Sequence, residues 1–358
     1  MRAAVMTAYR EPLEIRDLPD PQPGDNDAVV EVEACGSCRS DWHLWQEDWN
    51  WIGVSVPLPR VPGHEFGGKV VSAGKGVKQF KVGDRVTIPF HLACGQCEFC
   101  NSGRSNLCQA FGFLGAHTDG GYGQLARIPN ADANLVLLPD GVSPTVAAAL
   151  GCRYMTSYHG LVDQARIRPG EWVAVFGIGG VGLAAVQIAN ALGARVIAVS
   201  RTQGKLDLAS REGAVATVRA GDTAIAVIRD LTGGGAHVSV DALGSSATAV
   251  PGILSLRKGG RHLQLGGTGK EDRGVIGIPA DAMLFQELSF VSSLGCPTTS
   301  YPGLLSMVAR GTLKPELLLE KEVDVGDVNG VLTRMTDFNT SGFNVITSWT
   351  AVPVRSTP

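Results

Sequence analysis

Aromatic residues are scarce in this chain, at 6%, and neither sign of charge dominates. The 31 lysines and arginines stand against 34 aspartates and glutamates, a formal net charge of −3. A surface for nucleic acid needs a basic stripe or arm; neither occurs, so no nucleic-acid partner is expected. No uninterrupted apolar run reaches the ~20 residues of a membrane-spanning helix, which argues against a membrane partner. The opening stretch Met1 to Met6 lacks the long apolar segment of a secretory signal and runs into strand-like sequence. A cytoplasmic location is therefore expected. Internal repeats and low-complexity segments are also missing. What the chain does have is length for two domains in its 358 residues, a 44% hydrophobic fraction to fill a core, and eight cysteines. In a reducing compartment, clustered cysteines read first as metal ligands, with a redox or disulfide role as the lesser alternative.

The pattern changes once along the chain. Up to about residue 150 it is rich in glycine, proline and valine in short alternating runs. Val29 to Ala34 and Lys69 to Ser72 read as strands, separated by turn signals such as Pro23-Gly24 and Gly83-Asp84. No helix of ordinary length is expected before Pro144. After Arg168-Pro169-Gly170 strand and helix alternate. Trp172 to Phe176 reads as a buried strand, Val181 to Leu192 as a helix stopped by Gly193, and Arg195 to Ser200 as the next strand. A helix over Lys205 to Glu212, a strand over His237 to Ala242, a helix to about Arg257 and a strand over His262 to Leu265 continue it. Short joins between such units imply right-handed crossovers and a doubly wound parallel sheet. A last helix near Val325 to Met335 and a strand over Phe343 to Ser348 close the chain.

Gly177-Ile178-Gly179-Gly180-Val181-Gly182 fits G-x-G-x-x-G between a strand and a helix. In that context the glycines permit a tight turn and close approach to a pyrophosphate, which the helix N-terminus favours. An acidic residue closing the second strand would bind the ribose hydroxyls of NAD. Ser200-Arg201 stands there instead. A serine and a cation suit a 2′-phosphate, so NADP is expected, with NAD as the alternative.

Cys94, Cys97, Cys100 and Cys108 form C-x2-C-x2-C-x7-C. Four thiolates at that spacing close a tetrahedron around one zinc and leave no position for substrate. The other cysteines are Cys35, Cys38, Cys152 and Cys296. Cys38, His64 and Cys152 offer the three ligands of an open catalytic zinc site. Cys35, Cys38, His64 and Cys152 offer a closed Cys3His site instead, and spacing alone does not choose.

Taken together, Cys-Arg-Ser-Asp-Trp-His at 38 to 43, Gly63-His64-Glu65, the four-cysteine loop, Cys152 and the glycine turn resemble the zinc-containing medium-chain alcohol dehydrogenases. The resemblance covers essentially the whole chain. It implies a mostly-β GroES-like catalytic domain from residues 1–150 and 298–358, with a structural zinc loop at 94–108. Residues 151–297 then form a Rossmann dinucleotide-binding domain. It implies Cys38, His64 and Cys152 as catalytic zinc ligands, with Cys35 outside the motif and Glu65 as an occasional further ligand. Asp41 matches the carboxylate that holds the ligand histidine. Ser40 matches the hydroxyl that takes the substrate proton, which passes by the cofactor ribose to His43 and solvent. Arg39 matches a cation on the cofactor pyrophosphate, and Lys205, Leu243, Gly266 and Leu294 are further expected cofactor contacts. Trp49 and Phe90 are expected in the substrate pocket. The activity implied is hydride transfer between an alcohol and its aldehyde or ketone. Two zinc ions per chain are expected, one catalytic and one structural, in a homotetramer or, failing that, a dimer. One segment departs from the pattern: some members carry Gly-Arg-x-Val near the C-terminus, where Gly342-Phe343-Asn344-Val345 has no arginine. Two other readings are a metal-independent quinone or enoyl reductase of the same superfamily and a non-enzymatic nucleotide-binding protein with a closed zinc site.

Overall fold

The computed structural model describes residues 1–337, 340 and 342–353. The chain divides into two units. The first contains Met1–Met155, Gly295–Arg310 and Leu319–Pro358; the second contains Thr156–Leu294 and Gly311–Leu318. The C-terminal return is thus interrupted: Gly311–Leu318 belongs with the second unit, where the Lys314 carbonyl accepts a bond from the Gln187 side chain.

The first unit is built on a seven-stranded sheet. Its spatial order is Leu319–Asp324, Phe343–Ser348, Ala28–Gly36, Glu65–Ala73, Arg85–Thr87 and Val136–Leu137, with Leu125–Ile128 paired to Ala28–Gly36. Ala28–Gly36 is the long central strand, and its Ala28, Val30, Val32 and Cys35 side chains are buried in the core. Its pairing with Glu65–Ala73 is antiparallel, with Cys35 opposite Phe66 and Gly36 opposite Glu65. The strands approach so closely that a Cβ at Gly68 would lie 1.9 Å from the Glu31 carbonyl oxygen. This register has a functional consequence. Ser37 and Cys38 leave one strand beside the point where His64 enters the other. Among the described residues, no helix before Pro144 exceeds the seven residues of Arg39–Trp45.

The second unit is a six-stranded parallel sheet in the order Ala214–Arg219, Arg195–Ser200, Trp172–Phe176, Ala236–Asp241, Leu256–Gln264, Ser289–Ser292. Trp172–Phe176 is buried from its second residue onward, which is why it reads as a continuous apolar run rather than an alternating one. The order reverses direction at this strand, and crevices at such switch points receive ligands in open α/β sheets. Helix Gly180–Ala191 follows, and Gly193 takes the left-handed φ of 81° that lets the chain leave it. The sequence pattern does not signal the strands Ala214–Arg219 and Ser289–Ser292 or the helix Ala224–Thr232. Both strands lie at the rims of the sheet, the first half exposed and the second mostly so, and their side chains need not be uniformly apolar. No helix among the described residues is long and apolar enough to cross a membrane.

Candidate active site

Cys38, His64 and Cys152 converge although they are far apart in sequence. One ligand atom from each lies within 4.8 Å of the others. The two sulfurs are 3.9 Å apart. Ligands at the usual Zn–S length of ~2.3 Å on a tetrahedron stand about 3.8 Å apart, so the pair fits one metal ion. His64 is fully buried, and its Nε2 has no hydrogen-bonding partner among the described residues. An orphaned buried nitrogen is costly unless a bound group satisfies it. A cation between the imidazole and the two sulfurs does so, and the soft donor set suits zinc.

The titration of the three groups points the same way. The Cys38 thiol is held well below its ordinary range, first by the hydrogen bond with Cys152. The Cys152 thiol is pushed up by the same bond and by burial. Burial opposes charge on His64, but Asp41 and the Cys38 thiolate outweigh it and raise the imidazole well above its ordinary range. A metal ion replaces those protons.

Each ligand is positioned by local structure. Cys38 is the N-cap of Arg39–Trp45, and the carboxylate of Asp41 accepts a bond from its backbone N–H at 3.0 Å. The other Asp41 oxygen lies 2.8 Å from His64 Nδ1, which directs Nε2 at the sulfurs. Gly63 N–H and the Tyr122 hydroxyl also donate to Asp41, at 3.3 and 3.1 Å. Cys152 sits in a π-helical turn, Leu150–Tyr154. Such turns recur at functional sites because they displace one side chain from the regular helical face. Glu65, expected as an occasional ligand, is instead engaged by Arg153, whose Nε lies 3.0 and 3.1 Å from its two oxygens. Cys35 is not part of the ligand group; its sulfur lies 3.7 Å from the Gly36 carbonyl. The closed Cys3His arrangement is thereby overturned, because Cys35 points into the sheet core while Cys38 lies beyond the strand end.

Ser40 and His43 lie on Arg39–Trp45. His43 Nδ1 is 2.6 Å from Asp48, and its ring stacks on Trp49 at 4.7 Å. Trp49 meets Phe113 edge-on at 6.5 Å, Phe113 lies 5.1 Å from Phe90, and both Phe90 and Phe113 stand edge-on to His64. An apolar aromatic wall thus runs from the ligand histidine to His43. Arg39 is partly buried, with its guanidinium 3.6 Å over the Trp42 ring and a bond to the Met335 carbonyl. Burial lowers its pKa to about 10. Asp48, Phe113, Tyr122 and Arg153 are not signalled by the sequence motifs. Only Arg153, next to Cys152, stands where proximity to a ligand could have flagged it.

Cys94, Cys97, Cys100 and Cys108 form a second group, with sulfur separations of 4.0 Å for Cys94–Cys100, 3.5 Å for Cys97–Cys100 and 3.9 Å for Cys97–Cys108. None is in a disulfide. Backbone N–H groups of Cys100 and Gln109 lower the Cys97 thiol to about 6, whereas burial and Cys97 push Cys100 up to about 12. Four sulfurs fill a tetrahedron, so a metal ion held here would keep no position for substrate.

In the second unit the glycine turn has two kinds of position. Gly177 has φ of 89°, and a Cβ at Gly182 would lie 2.0 Å from the Gly177 carbonyl oxygen. Gly182 is thus required by the packing of helix on strand. A Cβ at Gly179 would meet nothing within 4 Å, so its bareness leaves space that a pyrophosphate can enter. Val181 opens the helix beside Gly180. Ser200 closes its strand nearly buried, followed by exposed Arg201, and Lys205 lies on the helix Gln203–Arg211. Leu243 and Leu294 are exposed. Asp241, which the motifs do not mark, organises the loop after its strand. It accepts bonds from Leu243 N–H at 2.9 Å, Gly244 N–H at 3.1 Å and Gln264 Nε2 at 2.8 Å, and its carbonyl accepts from Gly266 N–H.

Three variants test this geometry. Cys152→Ser should bind a single zinc per chain, with the four-cysteine centre intact; two tightly held zinc ions in metal analysis would contradict the ligand set. Gly182→Ala should lower thermal stability by about 1–3 kcal/mol through overpacking. Gly179→Ala should melt like the parent but bind nucleotide more weakly by calorimetry; equal affinity would remove Gly179 from the pyrophosphate site.

Comparison with known proteins agrees with both halves of this picture. The family described as "Alcohol dehydrogenase GroES-like domain" matches residues 24–140, and "Zinc-binding dehydrogenase" matches residues 180–310. An alcohol dehydrogenase of Geobacillus stearothermophilus is 39% identical over 249 residues, covering 69% of this chain and 72% of its own. A solved NAD-dependent alcohol dehydrogenase aligns with a TM-score of 0.85 at 31% identity, covering 97% of this chain and 99% of its own. A solved structure from Sinorhizobium meliloti 1021, described as a zinc-binding dehydrogenase bound to NADP, aligns with a TM-score of 0.83 at 28% identity. It covers 96% of this chain and 98% of its own. The chain belongs to the zinc-binding medium-chain alcohol dehydrogenases.

Proposed function

We propose that the protein interconverts an alcohol and its aldehyde or ketone, with NADP as the favoured nucleotide. The observation that carries this reading is the partnerless, buried Nε2 of His64 facing two cysteine sulfurs 3.9 Å apart. Three ligands leave a fourth position for substrate. A zinc ion held there supplies Lewis acidity toward an alcohol or carbonyl oxygen, and a bound nicotinamide accepts or returns the hydride.

The chain's own residues supply the rest. Ser40 takes the proton of the substrate hydroxyl, and His43 hands it on to solvent. Asp48, at 2.6 Å, fixes the orientation of His43 by accepting from Nδ1, which leaves Nε2 to exchange the proton. Phe90, Phe113 and Trp49 exclude water and favour an apolar substrate, one that an aromatic ring or a branched chain would suit. In the nucleotide unit, the glycine turn takes the pyrophosphate, and Ser200, Arg201 and Lys205 take the 2′-phosphate. NADP is supported by the absence of a carboxylate at the end of Arg195–Ser200. One solved neighbour is named for NAD and another is bound to NADP, so these residues decide the preference. A homotetramer is the proposed assembly.

Three variants test this. Cys38→Ala should lose turnover while nucleotide binding persists; near-parental turnover with both zinc sites filled would overturn the metal assignment. His43→Gln should lower kcat for alcohol oxidation on the order of 100-fold, with part of the loss restored by added imidazole. An unchanged kcat would remove His43 from proton transfer. Ser200→Asp should shift the NADP-to-NAD ratio of kcat/KM toward NAD by roughly tenfold, about 1.4 kcal/mol. No shift would contradict the phosphate site.

A further inference from the structure

The Arg153 side chain is 4% exposed, and it lies beside all three ligand-bearing segments. It directly follows the ligand Cys152. Its Nε and Nη2 grip both oxygens of Glu65, which directly follows the ligand His64. Nη2 also donates at 3.2 Å to the carbonyl of Ser37, which directly precedes the ligand Cys38. Its backbone N–H donates to Glu65 at 3.0 Å, so the carboxylate is also bonded to the π-helical turn that carries Cys152. The guanidinium lies 4.4 Å over the ring of Phe343, the position at which the C-terminal segment lacks the family's arginine. One side chain therefore contacts the immediate neighbours of every metal ligand, without approaching the ligand atoms as a ligand itself.

A fully buried ion pair is weak as a source of stability, because desolvation cancels much of its Coulombic gain. Its geometry, however, is stiff: a forked guanidinium holds a carboxylate in one orientation, which a lysine or an apolar pair cannot do. Both oxygens of Glu65 are taken up by this fork. A carboxylate one residue from a ligand histidine is otherwise a competitor for the fourth position on a metal.

We infer that Arg153 is a positioning residue that holds the three ligand segments in register before metal arrives and keeps Glu65 off the metal's open position. The inference rests on the metal reading above and concerns how the site is held, not what it catalyses. It also accounts for charge. The positive guanidinium offsets Glu65, so two thiolates and a divalent cation can form a neutral group in a dry interior.

The test is zinc release to a chromophoric chelator from the intact protein, which resolves two zinc ions per chain. The four-cysteine zinc serves as the internal control for folding. Arg153→Met should release the Cys38–His64–Cys152 zinc about 10- to 100-fold faster than the parent, as losses in outer-shell support do, while the four-cysteine zinc leaves at the parental rate. Glu65→Gln, which keeps the shape but weakens the fork, should show the same selectivity to a smaller degree. It provides the measurement if Arg153→Met does not fold. Parental release rates in a folded variant would overturn the inference, and so would equal acceleration at both centres. A parent that holds a single zinc would instead sink the metal reading itself.

Discussion

Everything in the first unit is arranged around keeping one imidazole nitrogen dry and aimed at two sulfurs. A buried Nε2 without a partner is unfavourable, and a buried thiolate pair is more so. The fold keeps both because the ligands come from segments already fixed by other means. Asp41 makes four contacts in one small volume: with Cys38 N–H, Gly63 N–H, the His64 ring and the Tyr122 hydroxyl. It sets the ring tautomer and the start of the helix together. The antiparallel register of Gly36 with Glu65 then brings the two ligand segments side by side. A one-residue slip would send Glu65 to the other face of its strand and carry His64, just before it, out of line with Cys38.

Charge follows the same logic. Around the three ligands the interior holds Asp41, Glu65 and Arg153, all nearly inaccessible to water. Burial, chiefly, pushes the Glu65 carboxyl up, and the Arg153 guanidinium opposes that push without cancelling it. The four-cysteine loop solves an easier problem. Its sulfurs are closer to the surface, and backbone N–H groups reach Cys94 and Cys97 directly.

Much of this was legible in the sequence because the chemistry is carried by residue types with narrow uses. C-x2-C-x2-C-x7-C and a glycine turn between strand and helix specify their geometry locally, and the strands Arg195–Ser200 and Phe343–Ser348 are bounded as their apolar patterns indicate. The choice between an open site and a closed Cys3His site was not legible from spacing; only the resemblance of the motif set Cys35 aside. Cys35 and Cys38 differ by three residues, and only the end of the strand between them decides which sulfur faces the core. Arg153 had only its place beside Cys152 to mark it, because a lone arginine after a cysteine is ordinarily a solvated residue. Its partner Glu65 is 88 residues away. Asp48 and Phe113 are read as site residues only once stacking and hydrogen bonds are seen. The rim strand Ala214–Arg219 was missed for a different reason: half of it faces solvent, and its alternation is weak.

The central claim is that Cys38, His64 and Cys152 hold a metal with one position left for an exogenous oxygen or nitrogen donor. Cobalt(II) placed at that centre, with zinc retained by the four cysteines, reports on it through its visible d–d absorption. The account predicts that adding imidazole, or an alcohol together with nucleotide, shifts those bands in a saturable way. A spectrum that belongs to a filled tetrahedron and ignores both additions would contradict it.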